Sequence, residues 1–174
     1  MRFSGVIVLT LIVLVNLAAW AWLNRPHSGV DWQGQIRGVS FSPFQKDDNP
    51  QVGRYPSLSD VDSDLKLLAG KVAMVRTYTA LDGLEQVPEL ARRYGLKVLA
   101  GAWIDTRLGR NEAEIRSLMG QIRNYKNVER VIVGNEALHR GDVTLPQLVR
   151  YIRRVKERVK VPVSTAEPWH VWLH

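Results

Sequence analysis

Cysteine is absent from the 174 residues. That absence excludes a disulfide framework, a thiolate metal site and a cysteine nucleophile. No Gly-rich phosphate fingerprint follows the first strand-like segment, and no P-loop occurs anywhere, so a nucleotide site has no support. His27, His139, His170 and His174 lack metal-ligand spacing and read as loop residues. No metal and no cofactor is therefore expected. A Ser-His-Asp arrangement is missing, and no nucleic-acid motif accompanies the basic residues, so nucleic acid is not expected as a partner. Charge is missing from one long stretch, Phe3 to Leu23.

That stretch is the first feature present. Twenty-odd apolar residues at about 1.5 Å each span a hydrocarbon core of about 30 Å, and Trp20 and Trp22 suit the interfacial aromatic belt. A cleavable signal peptide is the competing reading, with Arg2 as its n-region and Ala19-Trp20-Ala21 as the small-x-small site. The run exceeds the roughly 7–15 residues of a signal h-region, and bulky tryptophans surround the site. An uncleaved signal anchor over residues 1–24 is the expectation, with a linker over 25–36 and a globular domain over 37–174. Flanking charge (Arg2 plus the amino terminus against Arg25) is too balanced to fix orientation.

With 45% hydrophobic and 24% charged residues the remainder reads as globular. The net charge of +7 is concentrated at Arg150, Arg153, Arg154, Lys156, Arg158 and Lys160. Arg150, Arg153 and Arg154 share one helix face, opposite Leu148, Ile152, Val155 and Val159. A solvated outer face is the first reading of that cluster, a membrane-surface contact the second.

Strand-like and helix-like patterns alternate from Arg37 onward. Arg37 to Ser42 reads as a strand ending at Pro43, followed by a long loop, Gln45 to Pro56. Ser59 is expected to cap a helix running to about Ala69, with Gly70 past its end. Val72 to Tyr78 is a second strand, Leu84 to Tyr94 a second helix stopped by Gly95, and Leu96 to Ile104 a third strand. Asn111 with Glu114 has capping-box spacing and is expected to open a helix through Ile122. Val128 to Gly134 is a fourth strand. Thr144 with Gln147 repeats the capping-box spacing, with Pro146 in the first turn, and Val161 to Thr165 is a fifth strand.

Repeated βα units make a parallel sheet with right-handed crossovers. A doubly wound open sheet and a (β/α)8 barrel both fit. Polar and aromatic residues at the end of every strand favour the TIM-barrel type, because barrels gather their chemistry on that rim. A complete barrel takes about 250 residues, so these α/β units are expected to be about five of eight, a fragment or truncated reading frame.

One stretch organises the rest: Val131, Ile132 and Val133 form a β-branched strand, Gly134 permits a tight turn, and Asn135-Glu136 set an amide beside a carboxyl at the strand's C-terminal edge. A carboxyl there is a natural general acid/base, against the alternative of a Glu on a surface loop. Asp105 either lines the same cleft or only turns the loop before Thr106. Arg76, near-buried on the rim, is expected to meet an acidic partner.

Arg37-Gly38-Val39-Ser40-Phe41-Ser42-Pro43, Val75-Arg76-Thr77-Tyr78, Val131 to Glu136 and Val163 to Trp169, in this order and spacing, resemble glycoside hydrolase family 17. The likeness runs from about Arg37 to the end and is greatest to bacterial membrane-linked members that make or remodel β-glucans. It implies a retaining (β/α)8 glycosidase or transglycosylase acting on β-glucan, with Glu136 as acid/base and Asn135 contacting the hydroxyl beside the reacting carbon. Arg76 and Tyr78 match the second-strand Arg-x-Tyr that supports the nucleophile's surroundings. The nucleophilic Glu belongs to a seventh strand, which residues 1–174 do not include. Glu167 stands one strand beyond Glu136, where an inverting separation of about 6.5–9.5 Å is conceivable. Its place does not match the family's nucleophile, and Pro168-Trp169 after it suggests a substrate-lining role. Trp103 and Trp169 are candidates to stack on glucose rings, or else to cover loops over the barrel mouth. The likeness also implies anchoring in the bacterial inner membrane with an extracytoplasmic domain, and a glycosyltransferase domain or partner in a glucan-synthesis assembly. The alternative is a non-catalytic glucan-binding or scaffold module, or an inactive remnant.

Overall fold

The computed structural model describes residues 2–26, 29 and 34–173, with the side chains of residues 2, 3 and 51 left aside. Positions 27, 28 and 30–33 of the expected linker, hence His27, lie outside the described residues, as does His174. The chain divides into two compact units, Met1–Gly34 and Gln35–His174.

The first unit is the helix α1, Arg2–Leu23. Its span Ser4–Leu23 has a mean hydropathy of 2.5, long and apolar enough to cross a membrane. Thr10, Asn16 and Asn24 would be liabilities in lipid, but each donates to the carbonyl four residues earlier, at 2.9, 2.8 and 2.9 Å. Thr10 and Asn16 thereby turn a donor back onto the helix backbone, and Asn24 does the same just past its end.

The second unit carries five parallel strands: β1 Val39–Ser40, β2 Met74–Arg76, β3 Lys97–Ala102, β4 Val128–Asn135 and β5 Val163–Ala166. Between them run α2 Leu58–Leu68, α3 Val87–Arg93, α4 Leu108–Asn124 and α5 Leu145–Lys156. Spatial order equals chain order, β1-β2-β3-β4-β5. Every crossover adds its strand on the same side, so no reversal of strand order creates a switch point. That distinguishes these units from a doubly wound sheet. The core lies between strands and helices. Val61 and Leu65 of α2, Val87 and Ala91 of α3, Leu118 of α4 and Leu148 and Val155 of α5 are essentially sealed from solvent, as are Val75, Val98, Val131 and Val133 of the strands. Each such Val or Leu side chain contributes about 1.5–3 kcal/mol.

Several element ends differ from expectation. The cap of α2 is Ser57, not Ser59: its hydroxyl accepts from Asp60 N while Asp60 accepts from Ser57 N, a capping box built on Asp. Asn111 and Glu114 do not open a helix. α4 already begins at Leu108, and both residues are buried inside it. The capping box at Thr144 and Gln147 forms as expected. Gly70 and Gly95 follow their helices at φ of +75° and +70°, the left-handed stop that favours glycine.

Candidate active site

The C-terminal edge of the sheet gathers the polar residues named above. β4 ends in a backbone conformation that few residues accept: Gly134 has φ +84° and Glu136 has φ +54°. That conformation demands glycine, and the space is tight as well, since a Cβ at Gly134 would meet Leu148 Cδ1 at 2.9 Å and displace it. A non-glycine residue in the left-handed region costs about 1 kcal/mol or more, and such residues cluster at functional sites. Glu136 is fixed by its backbone, with N–H donating to Ala166 O at 2.7 Å and C=O accepting from Arg140 N at 2.8 Å. Its side chain is exposed and free of any hydrogen bond or ion pair among the described residues.

Its chain neighbour Asn135 is tightly held. Arg76 Nη2 donates to Asn135 Oδ1 at 2.6 Å, and the guanidinium lies 4.8 Å from the centre of the Tyr78 ring. β2 and β4 thus bring Arg76, Tyr78 and Asn135 into one cluster. The acidic partner expected for Arg76 does not occur among the described residues. An amide oxygen and an aromatic face take its place, and its buried Nε–H has no acceptor.

Trp103 joins from β3. Arg140 Cζ sits 4.1 Å above its ring, while Arg140 donates through Nη2 to Ile104 O at 2.9 Å, through Nε to Asp142 at 2.6 Å, and through Nη1 to Asn135 O. This arginine clamps the end of β3 to the end of β4. Residues 139–142, which read as a plain loop in sequence, hold the rim together. Only the preceding strand end hints at this, since one residue type cannot announce which carbonyls it will reach.

Glu167 is engaged with the same loop. Its two carboxylate oxygens accept from the backbone N–H groups of Leu138 and His139, at 3.0 and 3.2 Å. Trp169 is 75% exposed. Its ring stands edge-on to His170 at 5.9 Å, and His170 edge-on to His139 at 5.1 Å. Asp105 serves the turn: it is buried and accepts from Arg107 N at 2.7 Å and Arg107 Nε at 3.0 Å. Burial alone would raise its pKa, but the Arg107 hydrogen bonds and charge together hold it below the ordinary carboxylate value.

Glu114 underlies this edge. It is fully buried and accepts from Thr79 Oγ1, from Ala80 N at 2.8 Å and from Trp103 N at 3.2 Å, with Arg110 at 3.5 Å. It therefore ties the loops after β2 and β3 to α4. Burial pushes its carboxyl up, and the hydrogen bonds offset this only in part. Above Glu114 opens a groove of about 500 Å³ bordered by Phe44, Tyr55, Tyr78, Asp82, Trp103 and Arg110. Sequence reading missed Phe44, Tyr55, Asp82 and Arg110; for Phe44 and Tyr55 the long loop after β1 was the available signal, because loops at strand C-termini line barrel sites. No group of three or more acidic or histidine side chains that could hold a metal occurs among the described residues.

A singly wound βα sheet with its polar load on the C-terminal edge is the frame of a barrel enzyme. Residues 38–174 match the BtgE/BtgC glycoside hydrolase domain, and the chain belongs to that family. It is similar to the "Probable beta-glucosidase btgE" of Aspergillus flavus, 30% identical over 146 residues, covering 80% of this chain and 23% of that protein. The glucan 1,3-beta-glucosidase of Arthroderma benhamiae is 30% identical over 122 residues, covering 68% of this chain and 39% of that one. Among solved structures, the glycoside hydrolase family 17 β-1,3-glucanosyltransferase of Rhizomucor miehei superposes with a TM-score of 0.64 at 27% identity, over 76% of this chain and 49% of that one. An active-site mutant of that enzyme was solved with laminaritriose. The chain spans less than half the length of each of these proteins. The family 17 resemblance read from the sequence holds.

Proposed function

We propose that this chain contributes the acid/base half of a retaining β-1,3-glucan hydrolase or transglycosylase. The observation that carries the reading is Glu136 itself. It is an unpartnered carboxyl held at positive φ, one residue after an Asn135 that Arg76 has already oriented. In a retaining reaction one carboxyl protonates the glycosidic oxygen while a second, about 5–5.5 Å away, attacks the anomeric carbon. Glu136 supplies the proton, then takes one from the incoming water or sugar hydroxyl. By the family pattern the attacking carboxylate comes from a seventh strand. Arg76 supports that reading, since its unused Nε–H is a donor for a second carboxylate beside Asn135. Glu167 fits a positioning role instead, because both its oxygens are committed to loop amides.

Trp103 and Tyr78 form the platform on which glucose rings stack, and Trp169 extends it. α1 serves as a membrane anchor for an extracytoplasmic domain, and the protein acts in glucan synthesis or remodelling beside a glycosyltransferase. Calorimetry with laminaritriose, paired with a laminarin turnover assay, tests this on the 174-residue chain. The expected outcome is binding without turnover, with affinity unchanged in Glu136→Gln and lowered about tenfold or more in Trp103→Ala. Absence of binding, or turnover that survives Glu136→Gln, contradicts it.

A further inference from the structure

The opposite edge of the second unit, where the strands begin, carries its own groove. About 450 Å³ in volume, it lies between the ends of α4 and α5 and the starts of β4 and β5. Its floor is apolar, with Ile122 and Val159 among the lining residues, and its border carries Arg123, Lys126, Arg158 and Lys160. None of these four cations pairs with a carboxylate among the described residues, although Arg158 donates to Arg154 O at 3.1 Å. The helix dipole accounts for Arg123, which lies in the last turn of α4. Arg158 likewise serves a helix end, since the carbonyl it meets belongs to the last turn of α5, whereas Lys126 and Lys160 follow the helix ends at Asn124 and Lys156 and have no such partner among the described residues. Two acids sit close by: Glu129, already paired with Lys97 at 2.8 Å, and the exposed Glu157. An apolar floor under an unpaired cationic border matches an amphiphile whose head is anionic.

The chain leading from α1 joins the unit on this same edge. Gln35 donates to Val72 O at 2.9 Å and Ile36 bridges Val72, at the beginning of the sheet. The eleven residues from Asn24 to Gly34 reach at most about 40 Å when extended. A bilayer holding α1 is thus within reach of the cationic groove. We infer that the groove bordered by Arg123, Lys126, Arg158 and Lys160 docks onto anionic phospholipid headgroups of that bilayer. The candidate active site, at the other end of the strands, then faces away from the lipid.

Hydrogen–deuterium exchange on the full chain in nanodiscs tests the inference. Discs of phosphatidylcholine alone are compared with an equal mixture of phosphatidylcholine and phosphatidylglycerol. Exchange over residues 119–128 and 158–161 is expected to slow about fivefold or more in the mixed discs. The effect should vanish in Lys126→Gln/Lys160→Gln, and at 1 M salt, where the screening length falls to about 3 Å. Should the double variant fail to fold, the salt arm still decides. Arg150→Gln/Arg153→Gln, on the outer face of α5, should leave the protection intact. Equal exchange in both discs overturns the inference, as does loss of protection in the α5 variant. So does the same protection produced by inorganic phosphate or single-stranded DNA on phosphatidylcholine discs.

Discussion

Gly134 turns β4 through φ +84°, with the space for a Cβ already taken by Leu148. Gly134→Ala is expected to lose about 2–4 kcal/mol of stability, from left-handed strain and overpacking together, measurable by urea unfolding. Glu114 offers a pH test. Its pKa is raised in the folded state, so between the ordinary value of 4.5 and the folded one the native chain binds the extra proton. Stability therefore falls as pH rises through that window, and the full penalty is present above it. Glu114→Gln should flatten that slope, whereas Glu114→Ala, which orphans two amides and a hydroxyl, should cost about 3 kcal/mol. Unfolding free energies across pH check both. At this scale the sequence was half legible. Asn135-Glu136, Arg76 and Tyr78 could be picked out because strand ends announce themselves through hydrophobic pattern and glycine. Glu114 could not, because nothing local separates a buried carboxylate that holds two loops from one that caps a helix.

Elements explain where that reading slipped. The sequence offers Asn111 and Glu114 at capping-box spacing, but Asp105 and Arg107 settle the preceding turn first, so α4 starts a turn early at Leu108. Asn111 instead exchanges two hydrogen bonds with the backbone of Asp105, at 2.9 and 2.7 Å. At α2 the true cap is Ser57, two residues before the expected Ser59, because Asp60 supplies the reciprocal acceptor usually given by Glu or Gln. The β4–α5 connection shows the reverse case, a loop whose rigidity no pattern encodes. Glu167 accepts from its backbone and Arg140 ties it to the end of β3. Glu167→Gln replaces one acceptor with a donor facing an N–H. It should cost about 1–2 kcal/mol and speed amide exchange over residues 138–142. No such change is expected at α2, remote in the contact network.

On the scale of the molecule, the alternation of strand and helix made five parallel βα units legible but left a doubly wound sheet and a barrel both open; the polar strand ends favoured the barrel, and the order β1-β2-β3-β4-β5 is a finding of the structure. The long apolar run of α1 was equally plain. If it serves as an anchor, the chain should stay with membranes after alkaline carbonate extraction, with residues 1–24 still attached by intact mass. Release into the soluble fraction without them would mean a cleaved signal. The central claim is that β-1,3-glucan lies on the C-terminal edge beside Glu136. It is tested most directly by NMR of the tryptophan indole N–H signals during titration with laminaritriose. The account predicts that Trp103 shifts, in a saturable manner, while Trp20 and Trp22 do not. A titration that leaves Trp103 unmoved would contradict it.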